Sequence, residues 1–318
     1  MMGVGRDEVI RVGMTSTGTV SLVRSYQRAV LRRLEPHLPA GHAPSCLHPA
    51  LVWEATRISA GSGADHASGT TADRERIADL IRGLATAGPL PALEHVALDA
   101  TSCPDWCLQG AQELLSDIQR TTGASDAAFS APNMTEATAH LEAARETLRR
   151  VWPEAALETD LLIRVIVYVQ AGAFRSATLR QTFGAVYLGT ASVESTPAAF
   201  EALLHETGHH ALYLRNHFET FVTNGDDMVT HPLRADPRPV AGAVHAAHVL
   251  ARMTYGLARW ARERSAPPEV SERRDSALRR LQGTIAALKP VAEWTDRGRL
   301  YFDDLLRWEQ ELTDAHPG

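Results

Sequence analysis

The stretch that most limits the fold is Leu161-Leu162-Ile163-Arg164-Val165-Ile166-Val167-Tyr168-Val169. It is short, apolar and rich in β-branched residues, the pattern of a buried strand. Phe183-Gly184-Ala185-Val186-Tyr187-Leu188-Gly189 has the same character and reads as its antiparallel neighbour. Most of the remaining chain carries helical spacing. Leu22, Val23, Tyr26, Val30, Leu31 and Leu34 recur three and four apart, and Pro36 and Pro39 end that segment. Helices are expected over 72–87, 105–120 and 133–150. Asn133 caps the last of these with Glu136 at the capping-box position, and Pro153 closes it. Further helices are expected over 240–261, around the stripe Leu278, Leu281, Ile285 and Leu288, and over 294–313. The expected class is α+β, predominantly helical, with a small antiparallel sheet next to the helix that carries His205 and His209.

Length admits one or two domains. The expected division is a helical N-terminal region, 1–150, and a metal-binding catalytic region with C-terminal helices, 151–318, packed as one compact unit. The net charge of −6 argues against nucleic acid or an anionic membrane as the main partner. The most apolar stretch is short and contains Arg164, so it does not cross a membrane. Met1–Arg11 has no long apolar run and does not resemble a secretory signal. Cys46, Cys103 and Cys107 are the only cysteines, which suggests a reducing, cytoplasmic setting with buried or idle thiols. Residues 39–72, rich in Pro, Gly, Ser and His, read as loop, with His42, His48 and His66 as solvated side chains.

The chemistry concentrates in His205-Glu206-Thr207-Gly208-His209. Positions four apart share a helix face, so His205 and His209 can aim two imidazoles at one ion. The helix is credible: Thr196-Pro197 offers a cap and a proline at the first position, and Phe200, Leu203, Leu204, Ala211 and Leu212 supply an apolar face. The plain alternative is two histidines on a half-buried helix. The metalloprotease extension of the motif fails, because Leu212 and Arg215 stand where glycine and the third histidine belong. His245 is the third ligand that context favours, with His248 three residues on as fallback and Asp236 as a carboxylate rival.

Leu203–His209, followed by Pro232-Leu233-Arg234-Ala235-Asp236-Pro237-Arg238-Pro239-Val240-Ala241-Gly242-Ala243-Val244-His245, resembles the "HEXXH motif" family found beside natural-product and modified-peptide gene clusters. The resemblance covers roughly residues 160–250. His231 and Leu233 depart from the family's usual serine and tryptophan. The resemblance implies an iron(II)- and 2-oxoglutarate-dependent hydroxylase acting on an unactivated C–H bond, a β-carbon first of all. The substrate would be an amino acid, free or on a carrier protein, or a peptide such as a ribosomal precursor.

The residues suit that chemistry. Three ligands on one face leave open positions for a 2-oxo acid and O2, and His205, His209 and His245 can supply that face. Arg234 and Arg238 are candidates to anchor the distal carboxylate of 2-oxoglutarate, since arginine pairs with carboxylates bidentately. Either could instead pair with Asp236 to pin the loop. Glu206 is the catalytic candidate: a holder of a ligand or water in this chemistry, or a general base in the alternative, a zinc metallopeptidase.

Overall fold

The computed structural model describes residues 16–35, 47–61, 71–85, 93–98, 103–122, 134–170, 174–218, 220–230 and 237–314. The class is α+β and predominantly helical. The chain divides into two compact units that interleave in sequence: 22–138 with 160–192, and 1–21 with 139–159 and 193–318. A single cut near 150 does not reproduce that division.

The first of these units holds the larger sheet. Helix α1 (Ser16–Leu34) leads into it and α2 (Pro49–Gly61) follows, inside the stretch expected to be loop. Leu51, Val52 and Ala55 are buried there at helical spacing, a pattern hidden by the Gly, Ser and Pro around it. His48 caps α2: its Nδ1 accepts the Ala50 N–H at 3.2 Å. It is therefore a buried structural residue and not a solvated one. Its other face lies 3.6 Å from Glu94 and holds that carboxyl below the usual carboxylate range. Then come α3 (Thr71–Ala85), β1 (Glu94–Ala97) and α4 (Asp105–Thr122), while the next two helices in the chain, α5 (Met134–Val151) and α6 (Pro153–Leu162), belong mostly to the other unit. Pro153 opens α6 at its first position instead of only closing α5, so Leu161 and Leu162 are helical and the strand begins later.

Strands β2 (Val165–Val169), β3 (Ser176–Ala177) and β4 (Ala185–Gly189) complete a sheet of order β1-β2-β4-β3. β2 and β4 are parallel, with Val165 opposite Ala185 and Val169 opposite Gly189. The antiparallel pairing expected for these two runs is thus corrected; β3 is the antiparallel partner of β4. Burial on both faces explains the continuous apolar runs. Val165, Val167, Val169, Ala185 and Tyr187 pack with Trp106, Cys107, Ala111 and Leu115 of α4. Gly184 takes φ +99 to turn into β4. Gly189 lets the chain at Phe174 approach, since a Cβ there would lie 2.1 Å from the Phe174 carbonyl oxygen.

The second unit is built from α7 (Thr196–Phe218), β5 (Met228–Val229), β6 (Arg238–Pro239), α8 (Val240–Ala261), α9 (Pro268–Leu288) and α10 (Asp296–Asp314), with the adjoining parts of α5 and α6. Ser195 caps α7, accepting the Ala198 N–H at 3.3 Å, one residue before the expected Thr196. α8 packs against both α7 and α9. Gly256 permits the close approach of α8 to α7, because a Cβ there would sit 2.4 Å from Leu204 Cδ1. β5 and β6 form the small antiparallel ladder beside these helices, pairing Val229 with Arg238. The turn before β5 starts α8: the Val240 and Ala241 N–H groups donate to the carbonyls of Asp227 and Gly225 at 2.8 and 2.9 Å. Backbone acceptors therefore replace a side-chain cap and fix where α8 begins. No described helix is long and apolar enough to cross a membrane.

Candidate metal centre

His205 and His209 stand one turn apart on α7, and His245 faces them from the second turn of α8. His205 Nε2 lies 3.1 Å from His209 Nε2. Two imidazole nitrogens bound at right angles to one ion, each at about 2.1 Å, would be about 3.0 Å apart. The α7 pair therefore already has the spacing of adjacent ligands. His209 Nδ1 lies 3.3 Å from His245 Nδ1, and the two rings stack at 23°.

His209 thus offers one nitrogen to each neighbour, and one imidazole cannot direct both nitrogens at a single ion. Among the described residues, no group of three or more His, Cys, Asp or Glu side chains is arranged to hold a metal ion. A three-histidine centre here requires the His245 ring to turn towards the His205–His209 edge. The donor set fits an ion of intermediate softness such as iron(II) or zinc.

The protonation states fit a ligand role. Burial pushes the His205 pKa well below its ordinary value, with the neighbouring His209 and Arg280 acting in the same direction, although the side chain keeps 33% exposure. Burial likewise pushes His209 down to about 4, aided by the charge of Arg238. Both rings are neutral at pH 7, as a metal ligand must be. His205 Nδ1 contacts Met253 Sδ at 3.3 Å. A thioether only accepts, so Nδ1 carries the hydrogen and Nε2 keeps the lone pair that faces His209.

Glu206 is fully buried, with Oε1 3.8 Å from His205 Nε2. His248 stands apart from the trio: it is buried and its Nδ1 meets the Tyr301 hydroxyl at 2.9 Å. Of the two α8 histidines, His245 is the one brought against the α7 pair. Arg238 sits at β6, immediately before α8, where its charge reaches His209. Arg234, Asp236, His231 and Leu233 lie outside the described residues, as do Asn133, His42 and His66.

Sequence reasoning missed Met253 and a buried set of charged and polar side chains: Glu158, Arg215, Arg252, Tyr301 and Asp304. Arg252 donates to Glu158 in the interior. Met253 carried a signal in the sequence, since it follows His245 by two helical turns on α8. Arg215 did not: on a helix read for metal ligands it only marked a failed motif. No family model matches the chain, and no curated protein sequence matches it.

Proposed function

We propose that this protein is an iron(II)- and 2-oxoglutarate-dependent oxygenase that hydroxylates an unactivated C–H bond, a β-carbon first of all, in an amino acid or peptide. The balanced reaction joins substrate, O2 and 2-oxoglutarate to give hydroxylated substrate, succinate and CO2. The observation that carries the reading is the 3.1 Å approach of the His205 and His209 Nε2 atoms with His245 beside them. The resemblance of 203–245 to the HEXXH-motif hydroxylases supports the choice of chemistry.

His205, His209 and His245 would hold the iron. When bound, that iron supplies the one-electron chemistry that activates O2. Arg238, with Arg234 from the same run, would fix the distal carboxylate of 2-oxoglutarate. Glu206, enclosed with Oε1 3.8 Å from His205 Nε2, would hold a water beside that nitrogen. The substrate would be a free amino acid, a carrier-bound amino acid or a residue of a precursor peptide. A reducing, cytoplasmic compartment suits the reading, since neither Cys103 nor Cys107 is in a disulfide.

The test is anaerobic reconstitution with iron(II) and 2-oxoglutarate. A weak visible charge-transfer band, followed by succinate formation on adding O2 and substrate, is the expected result. A protein that retains zinc alone and cleaves peptides, with Glu206→Gln abolishing cleavage, would replace this reading with the metallopeptidase one.

A further inference from the structure

We infer that Arg215 and His248 form an internal binding position for one small monoanion, of halide or carboxylate size. Arg215 is 1% exposed, and none of its three guanidinium nitrogens has a hydrogen-bond partner among the described residues. Burial lowers its pKa only to about 10, so it remains a cation at neutral pH. His248 is 0% exposed. Its Nδ1 meets the Tyr301 hydroxyl at 2.9 Å. That hydroxyl is fully buried with Tyr301, and the ring nitrogen is the acceptor it faces. With Tyr301 as the donor of that bond, the neutral His248 ring carries its hydrogen on Nε2. Nε2 has no hydrogen-bond partner either.

The acceptors nearby are engaged. Glu158 takes Arg252 and lies 3.5 Å from the Thr19 hydroxyl. Asp304 lies 3.4 Å from Arg307. The charges of Glu158, Arg252, Tyr301 and Asp304 all reach Arg215, and Arg215 is the strongest charge acting on His248. The set is therefore rich in donors and holds a cation that no carboxylate among the described residues touches. Buried cations are as a rule paired, and buried donors bonded. Water could accept these hydrogens without neutralising the guanidinium; a monoanion does both.

Two sources share this chemistry. One is a free ion such as chloride or formate. The other is the far carboxylate of the dicarboxylate cosubstrate, held here in place of the Arg238 anchor proposed above, because His248 follows His245 by one helical turn, about 5–6 Å. The second source rests on the function proposed above; the first does not.

The experiment uses the full-length, metal-free protein. Its unfolding temperature is followed against chloride or formate at constant ionic strength, with the bulky monoanion Mes as balance. An ion that binds only the folded state raises that temperature with concentration. Chloride and formate are expected to stabilise where Mes does not, and Arg215→Gln and His248→Phe should each weaken the apparent affinity at least tenfold. Crystals of the unmutated protein soaked in bromide give a readout that does not depend on the variants folding: an anomalous peak between Arg215 and His248. Suppression of the chloride effect by 2-oxoglutarate would identify the dicarboxylate as occupant, and its persistence would identify the free ion. Stabilisation no greater than with Mes, or bromide bound only elsewhere, would overturn the inference.

Discussion

His209 and His245, 36 positions apart in sequence, meet Nδ1 to Nδ1 at 3.3 Å. The contact exists because backbone carbonyls in the turn at 225–227 fix the first residues of α8. His245 then faces α7 from a defined height, while His248, three residues on, turns to Tyr301. The two α8 histidines therefore have different partners, and their substitutions should have different consequences.

His245→Ala is expected to abolish tight iron binding while leaving helical content intact. The ring is only partly buried, and Val244, Ala247 and Val249 still pack the helix. The checks are metal analysis after dialysis and far-ultraviolet circular dichroism. Iron retained at one equivalent, together with a large drop in unfolding temperature, would make His245 a packing residue and return the third ligand to Asp236.

Arg252 and Glu158 should behave as a buried pair. Arg252 is 1% and Glu158 4% exposed, and the guanidinium also lies 5.2 Å from the Trp152 ring centre. Removing one partner strands a charge in the interior, which costs about 3–5 kcal/mol. Urea unfolding of Arg252→Met should show a loss of that order. Joint replacement of both residues by apolar side chains of similar volume should recover most of it. A single variant as stable as the unmodified protein would mean that water reaches the pair.

Stability should fall with acid through His248. Burial holds its folded pKa well below 6.5, and the charges facing it act in the same direction: Arg215 and His209 from α7, Arg252 and His245 from α8. Tyr301 approaches from α10. Below about pH 6.5 the unfolded chain takes up a proton that the folded ring refuses. Stability is therefore complete above that pH and declines as pH drops towards the folded pKa, by up to about 1.4 kcal/mol per unit. His205 and His209 add to the slope with the same sign. The readout is therefore a difference: His248→Gln should unfold with a shallower pH dependence between 6.5 and 5. Parallel curves for the two proteins would show that His248 titrates in the fold as it does in the unfolded chain.

The helices and the nearness of His205 to His209 were legible because their signals are local. α8 follows from one amphipathic run, and the spacing of His205 and His209 is helix geometry alone. The direction of β4 against β2 was not legible. Continuous apolar runs identify buried strands, but the path of residues 170–184 decides parallel or antiparallel, and β3 in that path is two residues long. β1 stayed hidden because Glu94 and His95 break any apolar pattern. Helix α2 was masked by its neighbours. Arg215 could not have been assigned at all, since a buried guanidinium is written in the sequence like a solvated one.

Arg238 supplies the last prediction. Its charge reaches His209, and it stands at β6, immediately ahead of the α8 turn that carries His245. If it anchors the distal carboxylate of 2-oxoglutarate, Arg238→Ala removes a charge-assisted pair worth about 1.5–3 kcal/mol. Affinity for the cosubstrate should fall roughly ten- to a hundredfold, since each 1.4 kcal/mol is tenfold. Lysine should restore only part of this, because a point charge cannot reproduce the planar fork. Iron stoichiometry should not change, since a guanidinium does not ligate a cation. A 2-oxo acid lacking the distal carboxylate should bind poorly to the unmodified protein and lose little further affinity in the variant. Equilibrium titration of the iron-loaded protein under anaerobic conditions measures all three. Equal affinity for 2-oxoglutarate in Arg238→Ala and the unmodified protein would confine Arg238 to holding the strand, and the same titration on Arg234→Ala would then decide whether the run Arg234–Pro239 touches the cosubstrate at all.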